Sequence, residues 1–261
     1  GLSIAQSFVQ ERIRFAPRKH AAALHAEKQK ETLKFGKELL FTSKPLSDAK
    51  AEDVANFFRR NECLDLILGA GGSRPVKEIT PTPQLKKLWL EACDQFESAS
   101  PPADGDLMLS TDTVLFLPGI TLTTTGINGV KLLEDENGLP MYETVLIADR
   151  RTAKGPAPIV WIYNQLTGDD KVKEGEYSPP QARVMSRSSI TEKNGKFAFK
   201  VDVVFRIVVE FPAVLVRILP TSKEKMEEQG TNSISKGIAK DVEISIDSLP
   251  KAFQRWLVVA N

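Results

Sequence analysis

The sequence is poor in the residues that build disulfides, metal sites and catalytic centres. It has two cysteines and two histidines among 261 residues, and two cysteines are too few for a disulfide scaffold. Its 35 lysines and arginines nearly balance 34 aspartates and glutamates, so no overall charge attracts nucleic acid or an anionic membrane. No apolar stretch approaches the roughly 20 residues that span a bilayer. We therefore expect a soluble globular protein whose hydrophobic residues, 41% of the chain, build a sizeable core.

No motif in the sequence indicates catalysis or metal binding. His20 and His25 lie on a predicted helix at a spacing that puts them roughly 140° apart around its axis, poorly placed to share a metal ion. The segment from Gly69 to Gly72 follows a predicted helix and lacks the Lys-Ser/Thr of a P-loop, so we interpret it as a helix end. Cys63 and Cys93 lie in predicted helices and are expected to be buried thiols. We expect no catalytic residue, no metal and no enzymatic activity.

The first hundred residues carry helical, strongly charged patterns. An amphipathic stretch begins at Ile4 and continues beyond Pro17 to about Leu40. Further helices are predicted over residues 47–67 and 82–96, each entered through a capping residue. Residues 98–106, with two prolines and one glycine, are predicted to be a linker. These patterns indicate a helical N-terminal extension over residues 1–100, followed by a second domain over residues 101–261.

Strand patterns begin at Leu107, and the clearest one lies near the C-terminus. Segments with strand character include residues 142–148 and the strongly apolar residues 159–166. From residue 197 to residue 211 every odd position is apolar, the period of a strand. The Asn194-Gly195 dipeptide before it favours a two-residue type I′ hairpin turn, which would place Ile190 opposite Phe199. A strand of this length exceeds the usual 3 to 10 residues and is expected to curve around a helix.

The last forty or so residues supply that helix. Thr221 to Glu224 fits a capping box, which marks the start of a helix. Apolar residues then recur at spacings of four and three and draw one stripe along the helix. Pro250 lacks an amide hydrogen, so we expect a kink or break over residues 246–250. Together these patterns predict an α+β fold in which a curved antiparallel sheet grips a long C-terminal helix. The stripe consists of Ile234, Ile238, Val242, Ile246, Leu249, Phe253 and Trp256.

Several segments are similar to known but uncharacterised proteins. Val203 to Pro212, then Leu219-Pro220 and Phe253 to Trp256, resemble the end of an uncharacterised family of cyanobacterial and chloroplast proteins with a START-like, helix-grip domain. Residues 68–75 and 158–168 also resemble plastid proteins of algae. The resemblance covers roughly residues 183 to 257. It implies a START-like fold and a chloroplast location, either thylakoid-associated or stromal, and it carries over no catalytic residue.

Basic residues in the N-terminal region indicate a surface for partners. They outnumber the interleaved glutamates, as expected of an amphipathic helix that docks on a larger assembly or touches a membrane. Phe35 and Phe41 add to this surface if they do not pack on the sheet. The first functional hypothesis is a non-catalytic accessory or scaffold protein of a photosynthetic thylakoid complex, with protein partners, peripheral membrane contact and no nucleic acid. Its docking surface would comprise Phe8, Arg12, Arg14, Phe15, Arg18 and Lys19.

The alternative hypothesis is a carrier or binding protein for an apolar ligand. A lipid or pigment would lie between the sheet and the C-terminal helix, and no other cofactor is expected. The alternating face of the long strand and the stripe of the helix would form the cavity wall. The wall would consist of Phe199, Val201, Val203, Phe205, Ile238 and Val242.

Overall fold

The computed structural model describes residues 30–47, 49–96, 98–117, 120–158, 160–161, 177, 179–180, 182–212 and 222–260. Eleven helices and strands follow one another within these ranges. They are β1 (Lys30–Thr42), α1 (Ala51–Phe58), α2 (Asn61–Leu68), β2 (Val76–Glu78), α3 (Pro83–Cys93), β3 (Leu107–Leu117), β4 (Ile120–Glu134), β5 (Pro140–Lys154), β6 (Ala182–Lys193), β7 (Lys196–Pro212) and α4 (Lys223–Ala260).

The described strands form one curved antiparallel sheet in the order β1-β7-β6-β5-β4-β3-β2. Neighbouring strands from β3 to β7 are consecutive in the chain, whereas β1 reaches across to pair with β7. The long helix α4 packs against β1 and β7. The architecture is the predicted α+β fold, a helix-grip arrangement in which a sheet holds a C-terminal helix. The boundary predicted near residue 100 stays a prediction, although the sheet takes strands from both sides of it.

The predicted hairpin is confirmed pair by pair. Asn194 and Gly195 have φ angles of 55° and 71°, the left-handed values that a type I′ turn requires. Lys193 pairs with Lys196, and Ile190 faces Phe199. The register follows because a two-residue turn fixes the pairing of both strands.

The prediction of a helix through residues 33–40 is wrong, since these residues belong to strand β1. Leu33 is buried and Leu39 is half-buried. Lys34, Gly36 and Glu38, which point to the opposite face of the strand, are exposed. This is a period of two, and β1 pairs with β7 from Lys30 opposite Pro212 to Thr42 opposite Lys200. Pairing with a strand about 170 positions away in the chain outweighs the local helical pattern.

The aromatic residues of β1 are covered by the fold itself. Phe41 packs against the main core cluster. Phe35 lies against α4, where a Cβ added to Gly230 would be 2.3 Å from its ring. Gly230 is therefore required for the close approach of the helix to β1, and both phenylalanines pack partly within the fold.

Helix α4 is continuous from Lys223 to Ala260, with Pro250 inside it. The helix therefore does not divide into two segments near residue 250, and the alternative of a kink there stays a prediction. The helix is capped by Ser222, whose Oγ accepts a hydrogen bond from the Lys225 N–H at 3.3 Å, while Thr221 lies outside the described residues. The predicted stripe is most deeply buried at Ile246, Leu249 and Phe253, which are at most 4% exposed, while its two ends are partly exposed.

The other predicted helices are confirmed with two differences. The first of these helices begins at Ala51 after Lys50, whose side chain makes no capping hydrogen bond, and not at the predicted entry near Ser47. The segment predicted as one helix over residues 47–67 is two short helices, α1 and α2, which are separated at Arg59 and Arg60. Helix α3 begins as expected, with Thr82 Oγ1 accepting a hydrogen bond from the Leu85 N–H at 3.2 Å. The strand predicted over residues 159–166 lies mostly outside the described residues, and Val160 is helical.

Candidate ligand-binding site

The two faces of the sheet carry separate hydrophobic clusters. Consecutive residues of a strand point to opposite faces, so Val145 and Met185 lie on the face opposite to Thr144 and Ser186. Helix α3 covers one face, which we call the outer face, and packs its Trp89 against Val145 and Met185. Helices α1, α2 and α4 cover the other face, which we call the inner face. The space between sheet and gripped helix lies on the inner face.

Aromatic rings fill the inner face at the end near the β6–β7 turn. The Phe57 ring lies 6.0 Å from the Phe199 ring, 5.6 Å from Phe253 and 5.9 Å from Trp256. The Phe58 ring stacks on Phe199 at a centroid distance of 6.0 Å. Phe57, Phe58, Phe199 and Phe253 are all fully buried. This end of the grip is a packed core closed by helix α1.

Several side chains of the inner face are only partly buried toward the other end of the sheet. Leu146, Val184 and Ile207 point to the inner face, as their pairing with inner-face residues shows, and each remains partly exposed. On the helix, Ile238 and Val242 pack against the margin of the main cluster and are also partly exposed. Apolar side chains on both walls of the grip are thus accessible in this region, which we call the open half of the grip.

Polar groups adjoin the open half. Asn128 lies opposite Leu146 on the inner face, with its Nδ2 at 3.5 Å from the Leu109 carbonyl oxygen. Further along the same face, Arg151 Nη2 lies 2.8 Å from Asp149 Oδ2, and both side chains are less than 15% exposed. The attraction within a largely buried ion pair offsets the cost of desolvation only with good geometry and further hydrogen bonds. The site therefore combines apolar walls with a charged pair at one end.

A hydrogen-bonded network on the outer face has a structural role. Glu143, 1% exposed, accepts hydrogen bonds from Arg187 at 2.7 and 2.9 Å and from the Ser100 N–H at 2.6 Å. Lys131 Nζ donates to Asp106 Oδ2 and to the Pro101 carbonyl, each at 2.6 Å. These bonds fasten residues 98–106, predicted as a linker, onto β4, β5 and β6.

The two cysteine thiols and the Tyr142 hydroxyl of the core are held in their neutral forms. Burial raises the pKa of the Cys93 thiol to about 11, with the nearby Glu143 carboxylate adding to the shift. Burial also raises the pKa of Cys63 far above that of an ordinary thiol. For Tyr142, which contacts Phe58, burial raises the pKa to about 12. Neither thiol is activated as a nucleophile, since activation requires a lowered pKa, and both are buried as the sequence predicts.

Within the described ranges, no three His, Cys, Asp or Glu side chains lie close enough to hold a metal ion. His20 and His25 are outside these ranges. None of the described helices is both long enough and apolar enough to cross a membrane. Gly69 to Gly72 forms the turn after α2 and packs against α4, where a Cβ on Gly71 would be 2.9 Å from Ile244.

The six predicted wall residues lie on the inner side of the sheet but are spread over both ends of the grip, with Phe199 beside Phe57 in the closed end and Ile238 and Val242 at the open half. Phe199, Val201, Val203 and Phe205 are at most 5% exposed and face the helices, while Ile238 and Val242 are partly exposed. The sequence patterns do not predict that Phe57 and Phe58 occupy the space beside Phe199. Two adjacent phenylalanines on a predicted amphipathic helix were the signal for this packing. The six predicted docking residues, from Phe8 to Lys19, lie outside the described residues.

No family model matches the chain, and no curated protein matches it. Three solved structures illustrate what it is similar to. The aromatase/cyclase Zhui from Streptomyces sp. R1128 is 9% identical, with a TM-score of 0.38, over 85% of this chain and 95% of that one. Norcoclaurine synthase from Thalictrum flavum, in complex with dopamine and hydroxybenzaldehyde, is 12% identical, with a TM-score of 0.33, over 96% and 98% of the two chains. Ara h 8.0201 is 12% identical, with a TM-score of 0.27, over 87% and 99%.

Proposed function

We propose that this protein binds an apolar small molecule in the open half of the grip. The observation that carries the proposal is the difference between the two ends of the inner face. The end near the β6–β7 turn is closed by the fully buried rings of Phe57 and Phe58. At the other end Leu146, Val184 and Ile207 keep exposed surface although they lie on the inner face.

The physical chemistry of these walls favours an apolar ligand. Removing apolar surface from water stabilises a complex by roughly 25 cal/mol per Å², and concave sites with apolar walls and a few polar groups are typical of small-molecule binding. Asn128 and the Asp149–Arg151 pair supply the polar groups at one side. A ligand with an apolar body and one polar end, such as a lipid or a pigment, matches this arrangement. The function is that of a carrier or binding protein, without catalysis.

The test places a larger side chain in the site and compares ligand binding by this variant with binding by a variant that carries the same new residue elsewhere. Val184→Trp places an indole in the open half, whereas Val208→Trp places one on the outer face, where Val208 is 52% exposed. We expect the first variant to bind the fluorescent apolar probe N-phenyl-1-naphthylamine about tenfold more weakly than the unmodified chain. The second variant is expected to bind it unchanged.

Thermal unfolding of the same two variants shows independently whether the space beside Val184 is already filled. Adding atoms to a well-packed site costs about 1 to 3 kcal/mol, whereas an indole that enters unfilled space leaves the melting temperature unchanged or raises it. A large drop in the melting temperature of Val184→Trp, together with unchanged probe binding, would overturn the proposal.

The accessory role in a photosynthetic complex is the second proposed function. It is supported by the basic composition of the N-terminal segment and by the resemblance to plastid proteins. The resemblance also supports a chloroplast location. Its test is deletion of residues 1–29, which ends before β1 begins at Lys30 and so keeps every described strand. The truncated chain is expected to lose its association with thylakoid membranes in fractionated chloroplasts. Unchanged association would refute docking through this segment.

A further inference from the structure

Strand β1 is an edge of the described sheet, and half of its main-chain groups point away from β7. The Ser43 N–H donates to the Phe199 carbonyl at 2.8 Å, which shows that the main-chain N–H and C=O groups of odd-numbered residues point toward β7. The main-chain groups of even-numbered residues therefore point away from β7. The hydrogen bond that the Lys34 N–H donates to Glu227 Oε1 of helix α4, at 2.8 Å, is consistent with this direction. The side chain of Glu227 protects this part of the edge.

Further along the edge this protection ends. The main-chain N–H and C=O groups of Gly36, Glu38 and Leu40 also point away from β7, and none of the described residues pairs with them. The Leu40 side chain is 62% exposed, so the edge is open to solvent here. Unpaired main-chain groups of an edge strand are a ready template for another extended segment.

A groove of about 380 Å³ lies along this unprotected edge, between β1 and helix α4. The strand residues Leu39, Leu40 and Phe41 line it. Because they include Leu40, whose main-chain groups point away from β7, the groove follows the edge itself, where an eighth strand would lie. Helix α4 supplies the opposite wall.

The groove favours an occupant with negative charge. Lys37 and Lys236 line it from the strand and the helix, and none of the described residues in its walls is acidic. Ser235 also lines the groove. This residue is 8% exposed, and its Oγ has no hydrogen-bond partner within the part of the chain that the structure describes. A buried hydroxyl without a partner costs free energy that an acceptor on a bound molecule would recover.

We infer that β1 binds an extended, acidic peptide segment of a partner protein. The segment adds a strand at Gly36, Glu38 and Leu40 and places a carboxylate near Lys37 and Lys236. Main-chain pairing supplies affinity and the groove supplies specificity, as in other cases of strand addition. A second copy of β1 fits less well, because it would bring further lysines to a groove that already holds two.

The test uses a defined probe, a capped and fluorescein-labelled nine-residue peptide of alternating threonine and valine with a central glutamate. Fluorescence anisotropy is expected to show saturable binding in the micromolar range. A matched peptide with lysine in place of glutamate should bind about tenfold more weakly. N-methylation of the amides that would face β1 should abolish binding, since it removes the main-chain donors.

Two protein variants localise the interaction. Lys236→Glu should weaken binding of the glutamate peptide about tenfold, whereas Lys251→Glu, on the same helix but outside the groove, should leave it unchanged. Val184→Trp should also leave it unchanged, since the groove and the open half of the grip are separate sites.

Three results would overturn the inference. The first is no binding at peptide concentrations up to about 1 mM. The second is binding that survives N-methylation or the exchange of glutamate for lysine. The third is a dimer in sedimentation velocity that the peptide cannot dissociate, which would show that a second copy occupies the edge.

Discussion

Truncation of Phe57 tests the packing that closes one end of the grip. The ring is fully buried and lies within 6.0 Å of the rings of Phe199, Phe253 and Trp256. Replacing a buried phenylalanine by alanine costs about 3 to 5 kcal/mol. Three ring contacts are lost together, so we expect Phe57→Ala to cost about 4 kcal/mol, a large part of the 5 to 15 kcal/mol typical of a folded domain.

Urea unfolding monitored by tryptophan fluorescence measures this loss. The midpoint should fall while the dependence on urea concentration stays the same, because the surface exposed on unfolding hardly changes. Leu90→Ala is the control, since Leu90 is 49% exposed on helix α3, and it should cost no more than about 0.5 kcal/mol. A loss below about 1 kcal/mol for Phe57→Ala would show that α1 does not close the grip.

Three further predictions concern the helix, the buried network and the thiols. Gly230→Ala should cost about 1 to 3 kcal/mol because its Cβ meets the β1 phenylalanine ring, whereas Gly237→Ala, with no atom within 4 Å, should stabilise the chain by about 0.5 to 1 kcal/mol in urea unfolding. Glu143→Gln should cost about 3 kcal/mol by the same assay, since it breaks a buried ion pair. An unchanged midpoint for either costly variant would contradict the described contacts. Cys63 and Cys93 should resist alkylation until the chain unfolds. Their raised pKa values favour the protonated thiol in the fold, so the urea midpoint should fall as the pH rises from about 8.5 toward 11. Rapid alkylation of the native chain would contradict this burial.

The C-terminal part of the fold could be predicted because its signals are local and strong. Strict alternation from Phe197 to Phe211 indicates a strand without ambiguity, and Asn194-Gly195 permits few turn geometries other than the observed one. Once the turn is known, Lys193 pairs with Lys196, and counting three residues back along one strand and forward along the other pairs Ile190 with Phe199.

Strand β1 could not be predicted in this way. Leu39, Leu40 and Phe41 are adjacent apolar residues, and with the charged residues before them they fit a helical period as well as a strand. What decides between the two is pairing with β7, a contact between residues far apart in the chain. Local patterns hold no information about such a contact.

The candidate site was predicted only in part, for a related reason. The inward face of β7 and the stripe of α4 were identified from periodicity, and the structure places them together. Periodicity does not show which helix fills the space between them. The position of Phe57 and Phe58 beside Phe199 depends on how α1 crosses the sheet, and this is set by tertiary packing.

Native mass spectrometry of the protein purified from its source shows whether the open half of the grip holds a ligand. We expect a bound apolar molecule whose mass is present in the unmodified chain and in the Val208→Trp variant and is absent in Val184→Trp. A chain that carries no such molecule, or a bound molecule that remains in Val184→Trp, would contradict a ligand site in the open half of the grip.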